Sequence, residues 1–181
     1  MSHSRIPLHS RVNRQNTSTL VSLLGLLAFL AISFAVAGFG SIWSISQVNG
    51  WYASANKAAW SPPNAVFGPV WTILYTLMSI AAWLVWRQRH AQDVRRALTL
   101  YVVQLVLNCL WTPLFFGAYP LIGATALWLS LAVIGALDVL VALTLLTFLR
   151  HSRSAAALFV PYLLWVLFAT TLNAAVVIFA V

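Results

Sequence analysis

Arg87-Gln88-Arg89-His90-Ala91-Gln92-Asp93-Val94-Arg95-Arg96 is a short, strongly basic break between two long apolar runs, Ala65–Trp86 and Leu98–Gly117. Arg and Lys beside membrane-spanning segments collect on the cytoplasmic face, so a break of this kind fixes a direction for both neighbours. Working outward, the same rule can be applied to the whole chain. Arg150 and Arg153 flank a second break, and Arg5, Arg11 and Arg14 lie in the N-terminal tail. Five crossings put these nine cations on one side and leave only Lys57 on the other. An even number of spans scatters them. The reading is an all-α membrane protein, a five-transmembrane-helix bundle, with its N-terminus cytoplasmic and its C-terminus outside.

Composition agrees. Apolar residues make up 62% of the 181 and charged residues 7%, against about a quarter charged in soluble domains. A net charge of +8 raises the question of nucleic acid. The basic residues flank apolar runs without aromatic interleaving, so no nucleic-acid partner is expected and contact with the lipid bilayer suffices. Residues 1–17 are expected to form a disordered basic tail and 18–181 the five-helix domain. The spans are expected at about 18–40, 65–86, 98–117, 122–149 and 155–181. Small residues Ala31, Ala35, Ala37 and Gly38 on the first permit close helix contact. Pro113 predicts a kink in the third span, and 118–121 is a turn short enough to make the third and fourth antiparallel neighbours. A long aromatic loop, 42–64, ends in the stiff Ser61-Pro62-Pro63-Asn64.

Templates for hydrolysis, phosphoryl transfer and metal catalysis find few residues to use. The only acids are Asp93, in a loop, and Asp138, in the fourth span. The four histidines lie in the tail and basic breaks, and Cys109 is the only cysteine. No catalytic residue, metal ligand or required cofactor is expected. Asp138 is compatible with a proton-handling, ligand-binding or hydrogen-bonded structural role. Nine tryptophans are the more informative feature. Trp43, Trp83, Trp86 and Trp128 suit a bilayer-interface belt. Trp51, Tyr52 and Trp60 lie in the long outer loop, where a lid over the bundle mouth would be built. Helical spacing puts Trp71, Tyr75 and Met78 on one face of the second span. Tyr101, Gln104, Asn108 and Trp111 share a face of the third, and Trp165, Ala169, Leu172 and Asn173 a face of the fifth. The amides Gln104, Asn108 and Asn173 must face the bundle interior, where they either stitch helices or border a pocket. Aromatic walls with few polar groups suit a planar hydrophobic ligand.

Several stretches together resemble the TspO/MBR family of translocator and peripheral-type benzodiazepine receptor proteins. They are Trp51-Tyr52, Lys57-Ala58-Ala59-Trp60-Ser61-Pro62-Pro63 and Phe67, Trp71-Thr72 with Leu74-Tyr75, and Gln104-Leu105 with Asn108. They continue with Trp111-Thr112-Pro113, Phe115-Phe116-Gly117, Val160-Pro161-Tyr162, Trp165, Phe168-Ala169 and Leu172-Asn173. The resemblance covers residues 51–181 and identifies the chain as a bacterial member in the cell membrane. It implies a homodimer that binds protoporphyrin IX or haem in order to sense, transport or sequester porphyrins. It implies ligand contacts at Trp51, Tyr52, Trp71, Asn108, Trp165, Ala169 and Asn173, to which the residues' own spacing adds Tyr75, Gln104 and Leu172. Two other functions are compatible: an enzyme for light-dependent oxidative degradation of porphyrin, using Trp71 and Trp165, and a regulatory partner of another membrane protein. The family's Lys-Pro pair is Lys57-Ala58 here, which predicts a looser loop. The chain also lacks the Tyr and basic residue of the sterol-recognition pattern, so cholesterol is not expected as a partner.

Overall fold

The computed structural model describes the backbone of residues 8–180 and the side-chain packing of 19–179. The expectation for residues 1–7 of the tail lies outside the described residues. All regular structure among the described residues is helical: α1 (Leu8–Val48), α2 (Trp51–Ser54), α3 (Asn64–Trp86), α4 (Arg95–Thr112), α5 (Tyr119–Ile122), α6 (Ala124–His151) and α7 (Arg153–Ala180). Five segments, within α1, α3, α4 with its extension to Gly117, α6 and α7, are long and apolar enough to cross a membrane.

These five close into a ring. α1 packs on α3, α3 on α7, α7 on α6, α6 on α4, and α4 back on α1. The basic breaks meet at one end, where His151 Nδ1 lies 2.7 Å from Gln92 Oε1. The ring is solidly filled there: Met78, Ala81, Ala82, Val85, Ala97, Phe148 and Phe159 are buried within one apolar cluster. Polar groups fasten the seams. Ser33 on α1 and Tyr101 on α4 share a 2.8 Å hydrogen bond, and Ser79 on α3 donates within the same group. Such contacts average about 0.6 kcal/mol each in membranes, so they set helix register more than they supply stability.

Three boundaries differ from the sequence reading. α1 starts at Leu8 and continues to Val48, eight residues past the expected Gly40. Gly38 and Gly40 do not stop a helix that lacks a competing turn. The outer loop is therefore shorter than expected and holds a helical turn, α2. At Pro113 the third span does not merely bend. It widens into a π-helical turn, Pro113–Gly117, which absorbs the missing N–H donor. Gly117 is needed at its end, since a Cβ there would stand 2.5 Å from the Trp43 ring.

Candidate functional site

At the end away from the arginines the ring does not fill. A cavity of about 710 Å³ lies between α1, α3, α4, the π turn and α7, with Tyr52 of the outer loop at its edge. This is within the range of small-molecule sites, roughly 300–1,000 Å³. Its walls are largely aromatic. Trp71 lies tilted against Tyr75 (ring centroids 5.4 Å apart) and edge-on to Tyr162 (6.3 Å). Trp165 packs edge-on to Phe67 at 5.9 Å, and Trp111 stacks on Phe115 at 5.4 Å.

Eight of the ten residues expected from sequence line this cavity: Tyr52, Trp71, Tyr75, Asn108, Trp165, Ala169, Leu172 and Asn173. Trp51 and Gln104 do not. Successive residues on a helix point about 100° apart, so α2 can turn only one of its aromatic pair inward. Tyr52 takes that place. Trp51 packs on Tyr119 at 4.0 Å and donates from Nε1 to the Phe116 carbonyl at 2.9 Å, pinning the loop to the π turn. Gln104 lies one helical turn deeper than Asn108, beyond the cavity floor, and is fully buried.

That floor is a directed chain of hydrogen bonds. Tyr75 Oη donates to Asn108 Oδ1 (2.6 Å), Asn108 Nδ2 to Tyr162 Oη (2.9 Å), and Tyr162 Oη to Gln104 Oε1 (2.8 Å). It joins α3, α4 and α7. On the far wall Trp111 Nε1 donates to Asn173 Oδ1 at 3.0 Å. Both asparagines therefore stitch helices and border the cavity at once. Trp165 Nε1 is shielded from solvent and has no protein acceptor.

The contribution of α1 escaped the sequence reading. Phe34, Ala37, Gly38, Ser41 and Ile45 form one wall. Small residues there suggested close helix contact, but a Cβ added at Gly38, or at Gly68 opposite on α3, would meet nothing within 4 Å. Here smallness makes room. The signal was the concentration of small residues, Ala37, Gly38, Gly40, Ser41 and Ser44, along this end of the helix.

The loop lies down on the bundle. Ala58 is buried with Leu172 and Ala175, Trp60 Nε1 donates to Thr171 Oγ1 at 3.3 Å, and Lys57 Nζ stands 4.7 Å from the Tyr52 ring centroid. Burial pushes the Tyr52 phenol above its ordinary pKa, keeping it neutral. Ala58, which stands where the resemblance leads one to expect a proline, is buried against Leu172 and Ala175 of α7. Of the tryptophans assigned to an interface belt, Trp128 and Trp43 are exposed. Trp83 and Trp86 pack inward onto α1, Trp83 Nε1 donating to the Ser22 carbonyl at 2.7 Å and Trp86 meeting Phe29 edge-on.

Residues 28–179 match the TspO/MBR family. The chain is 43% identical to the tryptophan-rich protein TspO of Archaeoglobus fulgidus over 152 residues, covering 83% of this chain and 91% of that one. It is 42% identical to the tryptophan-rich sensory protein of Cereibacter sphaeroides over 147 residues, 81% and 85% of the two chains. Similarity extends to the human translocator protein, 42% identical over 125 residues, 68% of this chain and 70% of the relative.

Proposed function

The chain belongs to the TspO/MBR family and is an integral multi-pass membrane protein, and from that premise we propose that its cavity binds a flat tetrapyrrole, protoporphyrin IX or haem, to sense, carry or sequester it. The observation that supports this most is the chemistry of the cavity wall. About 710 Å³ is bordered by Trp71, Trp111, Trp165, Tyr75 and Phe67, with Asn108 on its floor and Asn173 on its far wall. Burying a ring system against such a wall contributes about 25 cal/mol per Å² of apolar area. The planar ligand lies between Trp71 and Trp165, both of which line the cavity. Names of relatives, a sensory protein and a translocator, are consistent with a role in signalling or passage. No bond needs to be made or broken.

The charge distribution supports an orientation with the 87–94 and 150–153 breaks in the cytoplasm and the outer loop outside. A second reading, light-driven oxidation of bound porphyrin, is favoured by Trp71 and Trp165 both lining the cavity as possible electron donors. Titration of the purified protein with protoporphyrin IX, followed by porphyrin absorbance in the dark and then under illumination, tests both. Saturable spectral shifts that persist under light support a binder. Saturable shifts followed by turnover support the enzyme, and absence of a saturable shift removes the site.

A further inference from the structure

A tetrapyrrole of this class carries carboxylates on one edge of an apolar ring, and the cavity is not built to receive them inside. None of its lining residues is Lys, Arg or His. A carboxylate carried inward would keep its desolvation cost with no cation to offset it. The deep donors Tyr75, Asn108 and Trp111 are committed, to Asn108, Tyr162 and Asn173 in turn, and Trp165 Nε1, which has no acceptor, is shielded from solvent and carries no charge to neutralise a carboxylate. The acidic edge must stay at the mouth.

One cation serves that mouth. Lys57 Nζ lies 4.7 Å from the ring centroid of Tyr52, which lines the cavity. The next residue, Ala58, is buried against Leu172, another lining residue. All other Lys and Arg residues belong to the N-terminal tail or the two basic breaks. Nor does an acidic side chain pair with Lys57 among the described residues. Of the chain's two acids, Asp93 accepts from the Arg95 amide at the opposite end and Asp138 is bonded to Thr170 within the span. The Tyr52 ring orients the ammonium without neutralising it.

We infer that Lys57 is the anion-binding residue of the cavity mouth, holding a ligand carboxylate and so selecting acidic tetrapyrroles over neutral ones of the same shape. This rests on the tetrapyrrole reading above. A phospholipid phosphate at the bilayer surface offers Lys57 the same anionic chemistry, so the test must separate the two.

The experiment titrates protoporphyrin IX and its dimethyl ester, which replaces both carboxylates at that edge with uncharged methyl esters, in an uncharged detergent. Wild-type protein, Lys57→Gln and Lys57→Arg are compared, with a melting temperature for each. The wild type should prefer the free acid about tenfold, the scale of one charge-assisted contact. Lys57→Gln should erase the preference by weakening the acid alone, Lys57→Arg should keep it, and added salt should shrink it. Equal affinity of wild type for acid and ester overturns the inference. So does a preference that survives Lys57→Gln, or a loss shared equally by both ligands, which would mark loop packing. A Lys57→Gln effect seen only after adding anionic phospholipid assigns the lysine to headgroups and also overturns it. Wild-type protein that binds neither ligand refutes the tetrapyrrole reading itself.

Discussion

Asn108 shows how much one amide does in this bundle. Its two ends hold Tyr75 and Tyr162, and the same side chain closes the cavity floor. The stripe Gln104, Asn108, Trp111 was legible in the sequence because buried amides need partners. The stripe could not say which amide borders the cavity, because that depends on where Tyr162, from a helix far along the chain, enters the ring. Asp138 is a similar case. Thr170 lies 2.8 Å from its Oδ2 and 3.0 Å from the Val166 carbonyl, yet a threonine has one hydroxyl hydrogen. That hydrogen has both the Asp138 carboxyl oxygen and the Val166 carbonyl within reach, so Thr170 ties α6 to α7 at this point. At Trp165, whose ring packs on Phe67 and Phe168, Trp165→Ala should weaken protoporphyrin binding at least tenfold, equivalent to about 1.4 kcal/mol, while the protein still folds. Isothermal titration with circular dichroism checks this, and unchanged affinity would take α7 out of the site.

At the scale of elements, the spans were readable because apolar runs and basic breaks mark them in composition alone. What was not readable is how two irregular pieces serve the site. The π turn follows from Pro113, but its pairing with Trp43 and Trp51 depends on α1 running on to Val48. The outer loop is tied at Trp51 to the π turn and at Ala58 and Trp60 to α7. Each tie is small: one hydrogen bond contributes about 0.5–1.5 kcal/mol. A loop held this way opens locally far more readily than the filled end of the ring. Bound protoporphyrin should therefore slow hydrogen exchange of amides 49–60 strongly and those of α6, which does not line the cavity, little. Exchange in 49–60 that ignores the ligand would make the loop an interfacial anchor.

Across the whole molecule, a ring of five helices is packed solid at its arginine end and hollow at the other. The charge pattern predicts the arginine end in the cytoplasm. With Cys109 replaced, Asn56→Cys should react with an impermeant maleimide in intact cells and Ala91→Cys should not; the reverse pattern would invert the protein. The cavity was legible as aromatic stripes on α3 and α7 and as the family motifs. Its fourth wall, α1, was not, because an absent side chain at Gly38 reads in sequence as close packing and in three dimensions as space. The central claim is that this hollow end holds a flat porphyrin, and quenching of tryptophan fluorescence by protoporphyrin IX tests it most directly when Ala169→Phe is titrated beside the wild type. Ala169 is buried in the cavity lining, so a phenyl group there takes the space a ligand needs. The account predicts saturable quenching of the wild type and its loss in Ala169→Phe at a preserved melting temperature. Equal saturable quenching of both proteins, or none that saturates in the wild type, would contradict it.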